Sequence, residues 1–252
     1  MDFLQAFVVG IVQGITEWFP ISSEGINSLI LTQVYGLTLA DAIFLSIWLH
    51  IGTFFAALIF LRKDVIRILK ERGKEFNFLV VATIVSLLVG GPLLLLDMEF
   101  FLATGKGIMI LIGLLLVVTG LIQYYAKRKG TLDKKELGLM DAIIAGVAQG
   151  LAILPGLSRS GLTVSALLFR KYNPTQSIKL SFLMSIPAVA IAGAFTTIKN
   201  PTLVTTEGLV ALAASFILGL ITIAILLKIA EKVNFSYFCF LIGAVSIIAG
   251  LV

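Results

Sequence analysis

What this chain lacks narrows its class first. Charged residues fill only 13% of its 252 positions, against roughly 25% in an ordinary soluble domain, so a soluble globular fold is excluded. Cysteine occurs once, at Cys239 in an apolar segment, which leaves neither an intramolecular disulfide nor a cysteine metal cluster. Histidine also occurs once, at His50, so it has no second imidazole to join it on a metal. The stretch Met1-Asp2-Phe3-Leu4-Gln5 has no basic n-region and reads as mature sequence rather than a cleaved signal. Sustained period-two alternation is missing as well, which argues against a transmembrane β-barrel.

What is present is apolar. Hydrophobic residues make up 59% of the chain, and the mean hydropathy is +1.07. Several runs approach or exceed the roughly 20 residues that cross a bilayer, and backbone groups in lipid are satisfied inside helices. The expected fold is therefore an all-α integral membrane protein, with residues 1–252 as one multi-pass membrane domain; the cell (plasma) membrane is the expected location. The net charge of +5 does not indicate nucleic acid, because most basic residues flank apolar spans, where membrane orientation accounts for them.

In chain order, residues 4–19 form an apolar arm broken by Gly10, Gly14 and Glu17 and ending at Pro20. At about 1.5 Å per residue it is roughly 24 Å long, short for a crossing. Ile21-Ser22-Ser23-Glu24-Gly25 follows, with Ser22 or Ser23 as the cap of a second short arm over 26–35. Two short arms around a polar turn describe a re-entrant hairpin. Full spans are expected at 40–61, 77–96 and 107–126. Between the first two, the basic segment Arg62–Phe76 is amphipathic and suits the membrane surface. The pattern restarts with arms at 139–155 and 162–170, then spans at 176–197, 208–229 and 235–252, where Ser181, Ser185 and Pro187 read as packing groups and a kink.

This is an internal repeat. Leu4-Gln-Ala-Phe-Val-Val-Gly-Ile-Val-Gln-Gly14 lies over Met140-Asp-Ala-Ile-Ile-Ala-Gly-Val-Ala-Gln-Gly150 at an offset of 136, which also sets Ser22 on Ser158, Ser23 on Arg159 and Gly25 on Gly161. Repeat 1 covers 1–126 and repeat 2 covers 139–252, joined by a linker at 127–138. Each holds one hairpin and three spans, an odd number, so the second copy enters the membrane inverted, and sites in such repeats lie near the midplane. Placing Arg62–Phe76 and the linker in the cytoplasm leaves loops 97–106 and 198–207 outside with few basic residues. Both polar turns can then meet.

The second turn is Pro155-Gly-Leu-Ser-Arg-Ser-Gly161. A buried arginine costs on the order of 3 kcal/mol to insert, so Arg159 either bonds backbone carbonyls or binds an anion, where its planar donors suit phosphate. Gly156, Ser158, Ser160 and Gly161 would reinforce that site through backbone N–H groups at a helix start. Glu17, one turn beyond Gln13, is a candidate base, cation ligand or ion-pair partner of Arg159. Gln13 can hydrogen-bond but not act as a base. Ser22 and Ser23 are caps or nucleophiles. Glu24 is a cap, a metal ligand or a residue of the aqueous mouth. His50, in Trp48-Leu-His-Ile-Gly-Thr53, is a packing residue or the one side chain suited to proton transfer near neutrality.

Together these segments resemble the undecaprenyl-diphosphate phosphatase family. The likeness rests on Gln13-Gly-Ile-Thr-Glu17 running into Pro20-Ile-Ser-Ser23, on Pro155–Gly161, and on Leu49-His-Ile-Gly-Thr53 and Ser181-Phe-Leu-Met-Ser-Ile-Pro187. The resemblance implies hydrolysis of a polyprenyl diphosphate to the monophosphate and phosphate, with Glu17 as essential acid and metal ligand, Ser23 as nucleophile and Arg159 as diphosphate clamp. Gln13, Ser22, Gly156, Ser158, Ser160 and Gly161 would bind substrate, and a divalent cation, Mg or Ca, would assist. The implied partners are the lipid substrate, the bilayer and, as a further candidate, a second copy in a homodimer. The alternative is a transporter or flippase of polyprenyl phosphate, since inverted repeats also build carriers. One departure stands out: many relatives carry a histidine after the first motif, where this chain has Ile26, so Glu17, Glu24 or His50 must cover its role.

Overall fold

The computed structural model describes residues 1–103, 107–129, 136–229 and 234–251, and no strand occurs among them. Helix α1 (Phe3–Thr16) starts at Asp2, whose carboxylate accepts from the Gln5 N–H at 2.8 Å while the Gln5 side chain accepts from the Asp2 N–H at 3.0 Å, a reciprocal capping box. After a turn through Glu17–Pro20, α2 (Ser23–Gln33) opens on Ser22, whose hydroxyl accepts from the Gly25 N–H at 3.3 Å. Of the two serines, Ser22 is thus the cap, and Ser23 keeps its hydroxyl for the site. Ser22 has φ 61°, a left-handed conformation that costs a β-carbon residue roughly 1–2 kcal/mol and is typical of functional turns.

The remaining helices are α3 (Leu39–Phe60), α4 (Arg62–Glu71), α5 (Lys74–Ala103), α6 (Gly107–Lys129), α7 (Leu139–Leu151), α8 (Arg159–Phe169), α9 (Pro174–Lys199), α10 (Thr206–Ile229) and α11 (Ser236–Leu251). Among the described residues, α3, α5, α6, α9 and α10 are long and apolar enough to cross a membrane. This is a multi-pass integral membrane protein. At 16 residues, α11 is roughly 24 Å long and falls short of the full span expected at 235–252. Helix α5 is longer than expected and runs through Pro92 into the segment assigned to an outer loop. The charged side chains expected to set orientation at 97–106, 127–135 and 228–232 lie outside the described residues.

The basic segment after α3 forms α4 after a single residue, Leu61. Asp64 accepts from Lys179 of α9 at 2.8 Å, and Arg67 meets Glu71 at 3.2 Å and Glu75 at 2.5 Å. Ile68 is buried while Ile66 and Leu69 point outward, the pattern of an interfacial helix fastened to the bundle.

Packing places the arms against spans of the other half: α1 lies on α10, and α7 lies on α5. Glycines make both contacts possible. A Cβ on Gly14 would stand 2.7 Å from the Ser215 carbonyl oxygen, and one on Gly150 would stand 2.8 Å from that of Ser86. These are backbone collisions, so the helices must separate to admit any side chain. Helices α3 and α9 pack on each other, as do α6 and α11, so contacts made by one half have counterparts in the other. Gly14→Val and Gly150→Val should each lower stability by about 3 kcal/mol, at the upper end of overpacking costs. Thermal melts in detergent check this, and unchanged melting of either variant contradicts the close approach.

Candidate active site

The two polar turns are brought together by α6. Gln123 donates from Nε2 to the Pro20 carbonyl at 2.6 Å, holding the first turn. Thr119 Oγ1 donates to the Gly156 carbonyl at 3.2 Å and accepts from the Ser158 N–H at 3.3 Å, holding the second. Gly156 has φ +99°, and a Cβ there would lie 2.5 Å from the Ile112 carbonyl, so only glycine allows the second turn to sit this close to α6. The turns also touch directly, because Ser160 Oγ donates to the Phe19 carbonyl at 3.2 Å. Trp18 fixes the first turn from behind, donating to the Gly219 carbonyl at 2.8 Å and meeting Phe182 edge-on at 5.0 Å.

Glu17 is the hub of what results. Its Oε2 accepts from Gln13 Nε2 at 2.9 Å and from Ser23 Oγ at 2.8 Å, and lies 3.0 Å from His50 Nε2. Its Oε1 pairs with Arg159 Nη2. Gln13 is in turn fixed by Asn27, which donates to its Oε1 at 2.7 Å. Burying a carboxylate is costly unless it is paired and hydrogen-bonded, and here both oxygens are engaged. His50 Nδ1 lies 2.7 Å from the Ser46 carbonyl. A carbonyl only accepts, so Nδ1 carries its hydrogen, and Nε2 shares one proton with the Glu17 carboxylate.

Of the expected site residues, Glu17, Ser22, Ser23, Glu24, His50, Ser158, Arg159 and Ser160 line one polar pocket of about 30 Å³. Gln13 stands behind Glu17 and does not line it. Gly156 and Gly161 do not line it either: Gly156 packs on α6, and the Gly161 N–H donates to Ser158 Oγ at 3.2 Å in the α8 cap. Their place is in the turn itself. Arg159 is the first residue of α8, where the helix dipole favours an anion beside it.

Asn27, Thr119 and Gln123 were not singled out from the sequence. Polar side chains in apolar helices were the available signal, and they serve as braces. Most consequential is an apolar cavity of about 560 Å³ that adjoins the polar pocket and shares Glu24, His50 and Arg159 with it. Its walls come from α3, α5, α9 and the end of α7, including Ile47, Leu87, Gly91, Ile153, Ala188 and Phe195. No contiguous motif encodes it, because its residues come from six separate helices.

The comparisons with known proteins span nearly the whole chain. The family model for bacitracin resistance protein BacA matches residues 6–248. An undecaprenyl-diphosphatase of Methanococcoides burtonii is 40% identical, covering 98% of either chain. Others from Methanothrix thermoacetophila and Methanopyrus kandleri are 38% and 36% identical, covering 98% and 100% of this chain and 96% and 97% of their own. A match of this extent, with both polar turns inside it, makes the chain a member of the BacA family.

Proposed function

We propose that this protein hydrolyses a polyprenyl diphosphate of the undecaprenyl type to the monophosphate and inorganic phosphate, recycling a carrier lipid at the plasma membrane. The observation that carries this reading is the junction of two compartments. A polar pocket with a hydroxyl, a carboxylate and a guanidinium shares Glu24, His50 and Arg159 with an apolar cavity of about 560 Å³, which suits a lipid with a diphosphate head. The names of the relatives point to the same substrate.

In this reading Ser23 attacks the terminal phosphorus, Glu17 takes the serine proton, and Arg159 neutralises the non-bridging oxygens. Phosphoryl transfer depends mainly on such positioning and charge stabilisation. The polar pocket, at about 30 Å³, holds little more than one or two waters. A phosphoryl group therefore enters as Arg159 turns from Glu17 towards it. Ser158 and Ser160 hydroxyls flank that position.

The assisting divalent cation fits as one shared with substrate. No cluster of three His, Cys, Asp or Glu side chains that could hold a metal occurs among the described residues. Glu17 accepts from or pairs with four donors, and Glu24 is a second carboxylate on the pocket wall. Magnesium characteristically combines one or two carboxylates with substrate phosphates, and Glu24 with the diphosphate meets that pattern. Such an ion would supply Lewis-acid neutralisation of the phosphate charge. The exchanged contacts of the two halves support reading 1–126 and 139–252 as repeats inserted with opposite orientation, which sets the site near the midplane.

Phosphate release from a polyprenyl diphosphate by the purified protein tests the activity. No release, with lipid phosphate crossing proteoliposomes instead, would favour the transporter reading. Gly91 tests the cavity, because a Cβ there meets nothing within 4 Å. Gly91→Phe should fill the cavity without disturbing helix packing, raising KM for a long-chain diphosphate by about tenfold, within the range for contacts in apolar pockets. A short, water-soluble prenyl diphosphate should be turned over unchanged. Equal effects on both substrates would remove the cavity from tail binding.

A further inference from the structure

We infer that His50 is the general acid of the reaction, donating the proton that the departing lipid monophosphate takes up. The inference rests on the phosphatase reading above and assigns a role that reading leaves open. Its first support is position. His50 belongs to the walls of both compartments, at the seam between the phosphate pocket and the tail cavity. With the terminal phosphorus beside Ser23 and Arg159 and the tail in the apolar cavity, the leaving phosphate is the group at that seam. Among the described residues that line both compartments, His50 is the one imidazole, the side-chain type suited to giving up and regaining a proton at a fixed atom.

The second support is the fixed orientation of the ring. Its Nδ1 is held at 2.7 Å by the Ser46 carbonyl within the same helix, and its Nε2 is aimed at Glu17 Oε2, 3.0 Å away. Ser23 Oγ donates to that same oxygen at 2.8 Å. The two protons are therefore coupled through one carboxylate oxygen. When Glu17 accepts the serine proton it loses its negative charge and with it its hold on the Nε2 proton, which is then released towards the leaving group.

The step balances. The Ser23 oxygen–phosphorus bond forms as the bond between phosphorus and the bridging oxygen breaks. The serine proton moves to Glu17, and the His50 Nε2 proton moves to the departing phosphate. In the second half, water attacks the phosphoserine, its proton goes to His50, and the Glu17 proton returns to the Ser23 oxygen as phosphate leaves. The charged groups facing His50 are Glu17 from the turn after α1, Glu24 from α2 and Arg159 from α8; the cavity walls contributed by α5 and α9 carry no titratable side chain.

His50→Gln keeps the size of the ring and a donor towards Glu17 but cannot release a proton. It should lower turnover of a polyprenyl diphosphate by about 10²–10⁴-fold, the usual range for a lost general acid. An aryl phosphate with a p-nitrophenolate leaving group needs no proton at departure, so its first-turnover burst of p-nitrophenolate, which precedes the water step, should slow by less than about threefold. That second substrate also reports whether the variant is folded and able to attack phosphorus. Equal losses of the first-turnover rate on both substrates with an unchanged melting temperature overturn the assignment and leave the phosphatase reading standing. Wild-type protein that releases no phosphate from either substrate overturns both.

Discussion

Arg159→Ala should be the most damaging single change in this protein, because it removes a charge that both the fold and the chemistry use. Arg159 and Glu17 are paired across the two polar turns, and the Glu17 side chain is only 3% exposed. Removing one member of a buried pair typically costs 3–5 kcal/mol, since the other charge is left uncompensated. Here His50 also faces Glu17 at 3.0 Å and shares the burden, so the loss should lie near 3 kcal/mol. Activity should fall further, by about 10³–10⁵, as when the arginine that stabilises a phosphoryl transition state is lost. The double variant Glu17→Gln, Arg159→Met separates the two effects. It removes both charges, and apolar or neutral replacements of a buried pair are often tolerated, so the melting temperature should recover while phosphate release stays absent. A double variant no more stable than Arg159→Ala would show that the pair is not the source of the lost stability. An Arg159→Ala enzyme of normal turnover would remove it from the site.

The helices and the pairing of the turns were legible in the sequence for different reasons. Long apolar runs have one stable outcome in lipid, so α3, α6, α9 and α10 begin and end within about three residues of expectation, the scatter typical of helix ends. The Gln-Gly pairs ending both arms, Gln13-Gly14 and Gln149-Gly150, suggest a repeat in the sequence, and with it the expectation that the two polar turns meet. The individual partners were less visible. Hydrogen bonds such as Gln123 to Pro20 span 103 residues and depend on how α6 packs, which no local pattern encodes. Gly161 looked like a phosphate donor, but its N–H is satisfied by Ser158, because a serine cap satisfies the nearest helix N–H groups first. Ile26 left the family's histidine unaccounted for. His50 lies 24 positions further on in another helix, and only the packing of α3 against the first turn brings it to Glu17.

Ser23→Ala should reduce turnover by about 10⁴–10⁶, the scale seen when an enzyme loses its nucleophilic serine, with little change in stability. The serine is the first residue of α2 rather than its cap, so the alanine retains the helix start. It gives up one hydrogen bond to a carboxylate, about 1.5 kcal/mol at the low end for a charged acceptor, because Glu17 keeps Gln13, His50 and Arg159. A rapid quench with substrate labelled on the terminal phosphate should place the label on Ser23 in the wild type and on no residue in Ser23→Ala. Glu17→Gln should slow labelling without moving it, because the amide still orients the hydroxyl but cannot take its proton. These outcomes distinguish attack by serine from attack by water. If water were the nucleophile, the hydroxyl would only orient Glu17, Ser23→Ala would retain at least a tenth of wild-type turnover, equivalent to about 1.4 kcal/mol, and no label would be captured. The geometry favours the serine. Its proton already points at the carboxylate, 2.8 Å away, and its oxygen lines the pocket into which Arg159 reaches, so base, nucleophile and counter-charge stand in the order that in-line transfer requires.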